Sequence, residues 1–150
     1  MRWAIVVTAL LAGVYARSAG AEEPRIGLTL GRSEGTAVGT VIRISDRLTS
    51  RTALRLPSWG GASAEFDLTY DALRGHVLVP YVGAGIALLQ DDFGGRGRKE
   101  SRALVGVRHH ATQHVRLFGD AVWYRRIDGP PGPFDEYVNI RLGAGVSVMF

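Results

Sequence analysis

Residues 137–150 read YVNIRLGAGVSVMF. Every second residue, Val138, Ile140, Leu142, Ala144, Val146, Val148 and Phe150, is apolar. The residues between them, Tyr137, Asn139, Arg141, Gly143, Gly145, Ser147 and Met149, are polar or small apart from Met149. Period-two alternation predicts a β-strand whose faces meet different surroundings; a helix would scatter the apolar set around its surface. Soluble strands usually run about five or six residues. This one is long enough for the roughly nine to eleven that cross a bilayer. Taken alone, the stretch also fits an edge strand of a soluble sandwich or of a lipocalin-like barrel.

Working backwards, the same alternation recurs in seven further segments. Residues 115–126 and 101–110 predict strands seven and six. Residues 77–89 predict strand five, with Tyr81, Gly83 and Gly85 opposite Val82, Ala84, Ile86 and Leu88. Residues 62–70 set Ala62, Ala64, Phe66, Leu68 and Tyr70 against Ser63, Glu65, Asp67 and Thr69. Residues 51–56 place Leu54 and Leu56 opposite Arg51 and Arg55, residues 36–45 place Val38, Ile42 and Ile44 opposite Gly39, Arg43 and Ser45, and residues 25–32 complete the set. Turn chemistry separates them. The connections at 46–50, 71–75 and 111–114 are short. Those at 90–100 and 127–136 are long, the first Gly-rich and charged, the second holding Pro130, Pro131 and Pro133.

The start of the chain has a different grammar. Met1 and Arg2 precede an apolar run from Trp3 to Tyr15, then Ala19-Gly20-Ala21 and the acidic Glu22-Glu23. This is the layout of a secretory signal peptide cleaved after Ala21, leaving 22–150 as one domain. An N-terminal membrane anchor is the other reading of the run, and no Cys follows it to carry a lipid. Cleavage removes Arg2 and Arg17, taking 18 basic residues to 16 against 14 acidic ones, a net charge of about +2. No basic run alternates with aromatics, so nucleic acid is not expected as a partner. With no Cys there are no disulfides and no Cys-based metal sites. Beyond the leader no apolar run approaches the length of a membrane helix, so a membrane-spanning form must be a closed barrel.

The whole mature segment resembles the small eight-stranded outer-membrane β-barrel proteins of the OmpA and OmpX type. The resemblance is carried by PYVGAGIAL (80–88), LVGVRHH (104–110), VRLFGDAVWYR (115–125) and GAGVSVMF (143–150). It implies an all-β, eight-stranded antiparallel up-and-down barrel in the outer membrane of a Gram-negative cell envelope. It also implies contact with outer-membrane lipid and lipopolysaccharide, and recognition of the terminal strand ending at Phe150 by the barrel-assembly machinery. The chain departs from larger members by ending at Phe150, so cell-wall anchoring is not implied. On this reading the short turns are periplasmic and the loops 90–100 and 127–136 external.

Candidate chemistry is sparse. Arg51 and Asp67 lie on polar faces equally far from the turn near Trp59 and should sit opposite each other, with Arg55 and Glu65 nearby. Asp120 and Arg141 bear the same relation across Pro130-Pro131. Inside a barrel these charges require partners. They read either as a narrow, Arg-rich ion path or as a salt-bridged plug, and a barrel of eight strands leaves room for little beyond side chains. His76, His109, His110 and His114 fall at one predicted rim, where imidazoles could bind Zn²⁺ or Cu²⁺ or simply face lipid headgroups. The stretch VRHHATQH lacks the Ser two places from a His that a lipid-modifying hydrolase of this kind would need, and its rim is on the wrong side for outer-leaflet lipid. Glycines at 94, 95 and 97 lack phosphate-loop spacing. No catalytic, cofactor-binding or metal site is therefore assigned. The expected protein is a monomeric, non-enzymatic barrel acting in envelope integrity or through its external loops. A soluble periplasmic lipocalin-like barrel is the alternative, and a lipid A-modifying barrel enzyme the third reading.

Overall fold

A computed structural model describes residues 25–33, 35–57, 61–73, 76–90, 97–128 and 139–150. The expected signal peptide and the middles of both long connections, 91–96 and 129–138, lie outside the described residues. The described elements are eight strands: β1 (Ile26–Arg32), β2 (Gly35–Arg43), β3 (Leu48–Pro57), β4 (Ala62–Asp71), β5 (Leu78–Gln90), β6 (Arg98–His110), β7 (Val115–Arg126) and β8 (Asn139–Met149). Each pairs antiparallel with its sequence neighbour, and β1 pairs with β8 from Gly27 opposite Met149 to Arg32 opposite Ala144. Closure leaves no sheet edge whose backbone would need partners from outside. Both described chain ends lie at one end of the barrel, where the Phe150 amide donates to the Ile26 carbonyl at 2.7 Å.

The expected fold is the observed one, and the differences lie at strand ends. β3 begins at Leu48, inside the expected turn 46–50. Ser45 closes that turn early: its Oγ accepts from the Arg47 amide at 3.4 Å and the Leu48 amide at 3.2 Å, while the Ile44 amide reaches the Leu48 carbonyl at 2.9 Å. The 111–114 turn uses the same device. Thr112 Oγ1 accepts from the amides of His114 and Val115 at 3.1 and 2.9 Å. β6 begins at Arg98, so Arg98, Lys99 and Glu100 belong to a strand rather than to the 90–100 loop. They pair with Leu89, Leu88 and Ala87. Polarity hid this extension, because backbone pairing continues past the point where the outer face must be apolar.

Alternation places the two residue sets on opposite surfaces. Leu30, Val38, Leu56, Phe66, Leu68, Val82, Val105, Leu142 and Val148 are exposed on the outer wall, Leu142 at 74% and Leu56 at 65%. Glu65, Asp67, Arg102, Arg108 and Asp120 are buried in the lumen, Arg102 at 3% and Asp67 at 4%. This is the reverse of a soluble binding barrel, whose apolar face must point inward.

Candidate functional site

The lumen is where side-chain chemistry concentrates. It is built by residues of the inward parity on all eight strands, with the charged ones on β3 to β8 at its centre. Large inward side chains have room because glycines face them. A Cβ at Gly106 would lie 2.6 Å from Tyr81 Cζ, and one at Gly145 would lie 2.5 Å from Phe118 Cζ. Glycine at these places lets a ring lie against the opposite backbone.

The central feature is a chain of alternating charges. Arg55 grips Glu65 with two hydrogen bonds, Nε to Oε1 at 2.6 Å and Nη2 to Oε2 at 3.0 Å. Arg102, reaching across from β6, forms ion pairs with Glu65 Oε2 at 2.8 Å and Asp67 Oδ1 at 3.4 Å. Asp67 Oδ2 accepts from Arg51 Nη2 at 3.1 Å and Nε at 3.3 Å. Arg51 Nη1 then meets Asp120 Oδ2 at 3.0 Å, and the Tyr81 hydroxyl donates to the same oxygen at 3.0 Å. Three guanidiniums and three carboxylates thus alternate across the lumen. A buried charge is costly without such partners, and shared bidentate pairing is the arrangement that compensates best.

Aromatic rings complete the packing. Arg51 stacks over Phe118 at 5.0 Å, Arg102 over Tyr124 at 5.2 Å and Arg108 over Tyr81 at 4.8 Å, each ring face attracting the cation. Arg108 also donates to Asp71 Oδ1 at 2.6 Å and to Thr69 Oγ1 at 3.3 Å. Leu104 and Val122 bury beside Tyr124. Arg51 and Phe118 line two small chambers, one toward each barrel end.

The Arg51–Asp67 pair stands as expected, directly in register. Arg55 and Glu65 join diagonally, since Ala53 is the residue opposite Glu65. The expected Asp120–Arg141 pair does not form. Asp120 lies opposite Gly143, and Arg141 lies opposite Val122. The β7–β8 register is two residues from the one that symmetry about Pro130-Pro131 implies. A shift of two keeps the face but changes the partner. Asp120 takes Arg51 instead, and Arg141 lies over Tyr124 at 4.3 Å. Arg102, Arg108 and Tyr81 were missed as network members. Their inward parity was readable, but their partners lie on strands remote in sequence.

The four His gather at the end where both chain ends lie. His109 Nδ1 is 3.3 Å from the Val77 carbonyl, and His114 Nδ1 is 3.0 Å from the Met149 carbonyl. Among the described residues no three His, Asp or Glu side chains are grouped to hold a metal ion. At the other end the Ile127 amide donates to the Lys99 carbonyl at 2.9 Å. The Asp128 carboxylate is held below the usual carboxylate range, chiefly by the Lys99 backbone N–H and further by Arg126.

No family model and no curated protein matches the chain. Solved structures do. The N-terminal β-barrel domain of Pseudomonas aeruginosa OprF superposes with a TM-score of 0.63 at 18% identity, covering 84% of this chain and 96% of that one. Neisserial surface protein A superposes with a TM-score of 0.52 at 21% identity, covering 83% and 93%. A de novo designed transmembrane β-barrel gives 0.62 at 11% identity, covering 87% and 98%. At such identities the likeness is one of fold. The expected resemblance holds at that level: the chain has the fold of the small eight-stranded outer-membrane β-barrels.

Proposed function

We infer that this chain is a monomeric, non-enzymatic barrel of the outer membrane, acting in envelope integrity or surface interaction. One observation carries the reading: the wall is apolar outward around the barrel while the lumen holds a salt-bridged network. A wall of this polarity is stable in lipid and unstable in water. No helix among the described residues is long and apolar enough to span a bilayer, so spanning falls to the strands. The network and its stacked rings fill the centre of the lumen, which supports a plug rather than an ion path. On the terminal strand Val148 and Phe150 are exposed on the outer face, where the assembly machinery would read them. Outer-membrane lipid, including lipopolysaccharide, is then the wall's partner.

The surface role rests on the connections that join β5 to β6 and β7 to β8, at the end of the barrel opposite the chain ends. Loops on a rigid scaffold commonly carry binding function. An epitope tag after Gly95 should be detected on intact cells, and detection only after permeabilisation would remove the surface role. Membrane placement is tested by fractionation. The mature protein should require detergent for extraction and should migrate differently on gels when unheated. Recovery in the soluble periplasmic fraction would overturn the reading.

A further inference from the structure

The outer wall does not end alike at its two boundaries. On β6 the outward parity runs from His109 to Lys99, and on β7 from Val115 to Arg125. At about 3.3 Å per residue and a tilt of about 40°, each run rises about 25 Å, the height of the apolar band of a membrane barrel. Lys99 and Arg125 therefore stand at the band's boundary on the end opposite the chain ends, where lipid headgroups begin. Both side chains are exposed. Arg125 lies opposite Ser101, which makes Lys99 its diagonal neighbour on the same face, within reach of two long side chains. Among the described residues neither cation has a carboxylate partner. Asp128 is engaged instead by Arg126 Nε at 3.2 Å and by the Lys99 backbone N–H. Two neighbouring cations with no anion between them repel each other. Beside and below them the wall is apolar: Leu88 is exposed opposite Lys99, and Ile140 is exposed opposite the half-buried Trp123. At the chain-end boundary the same two strands present only His109 and Val115.

We propose that Lys99 and Arg125 bind the phosphate-bearing headgroup of a glycolipid of the lipid A kind, whose acyl chains lie on the wall beneath them. A guanidinium and an ammonium side by side match an anion with several acceptor oxygens. Exposed cations hold a free ion in water only weakly. A lipid phosphate differs, because its chains cover Trp123 and Ile140 while its charge meets Lys99 and Arg125. The occupant must therefore carry negative charge directly above apolar chains. A headgroup with more than one phosphate suits a pair of cations better than the single charge of a phospholipid. The inference rests on the membrane placement and orientation proposed above, and it names the lipid and the residues that hold it. It is independent of any binding role for the loops.

The test uses the folded full barrel in maltoside micelles, which carry neither charge nor phosphate. Bisphosphorylated lipid A, lipid A stripped of its phosphates, and phosphatidylglycerol are titrated separately, and bound lipid is counted by native mass spectrometry. Bisphosphorylated lipid A should bind about tenfold more tightly than the stripped form, a few-fold coming from each exposed charge pair. The double variant Lys99→Gln, Arg125→Gln should lose that preference, and Lys99→Arg should keep it. Arg47→Gln is the control: Arg47 donates to the Tyr70 hydroxyl near the chain ends, so the preference should be unchanged. Equal binding of the two lipid A forms overturns the proposal, as does a preference that survives in the double variant. Tighter binding of phosphatidylglycerol than of lipid A also overturns it and makes the occupant a phospholipid. Each variant is first checked for the altered migration of the unheated barrel, and if the double variant does not fold the two single variants decide. A barrel that needs detergent and shows the heat shift, yet shows no phosphate preference, refutes this site alone and leaves the membrane reading standing.

Discussion

The outer wall and the lumen are made by the same strands, residue by residue in alternation, yet they are held by different rules. On the wall, Leu28, Leu30, Phe66, Leu68 and Val105 are exposed, and in the proposed membrane setting they need only be apolar, because lipid accepts any such side chain. In the lumen, Glu65 must meet two particular arginines from two other strands. The wall is therefore tolerant in identity and strict in polarity, whereas the lumen is strict in both.

The comparison can be broken most forcefully from inside. Glu65→Ala strands Arg55 and Arg102 without their shared carboxylate and should destabilise the barrel by about 3–5 kcal/mol, read by urea unfolding in vesicles. A charge on the wall should cost somewhat less. Val105→Arg, outward near the middle of β6, should lower stability by about 2–4 kcal/mol, while Val105→Leu should be nearly neutral in the same assay. If the leucine variant were as damaging as the arginine, the wall would be a specific interface and not a lipid surface. Gly106→Ala tests lumen packing without changing charge. Its methyl meets the Tyr81 ring and should cost about 1–3 kcal/mol, with the tyrosine's near-ultraviolet signal altered.

The smallest effect belongs to the rim. Asp128 has a lowered carboxylate pKa, so its contribution is present above the ordinary carboxylate range and is lost as pH falls through the lowered value. The Lys99 amide resonance should titrate there, and Asp128→Asn should abolish that titration with little change in stability. A titration that persisted in the Asn variant would assign it to another group.

Much of this was legible along the chain. Each strand could be placed by alternation because a polar, buried face and an apolar, outward face impose a period of two on the sequence itself. The face of each charge followed from parity: Arg51, Asp67, Arg55, Glu65, Asp120 and Arg141 all lie on the inward parity, as read. Strand ends were less legible. Ser45 and Thr112 close turns through side-chain bonds that composition does not reveal, and Arg98 to Glu100 extend β6 beyond the apolar belt. Partners across a hairpin could be read where the turn fixed the register, as for Arg51 and Asp67.

Sequence determined the inside-out polarity, the strand count and the inward set, because these depend only on a residue's neighbours one and two places away. Tertiary structure alone decided who meets whom across the lumen. Closing the sheet brought Arg51 of β3 to Asp120 of β7, and Arg102 of β6 to Glu65 of β4, and it moved Arg141 from Asp120 to the Tyr124 ring. Those meetings depend on register and on reach across the barrel. Both are set by the closed ladder as a whole and by no single stretch of the chain.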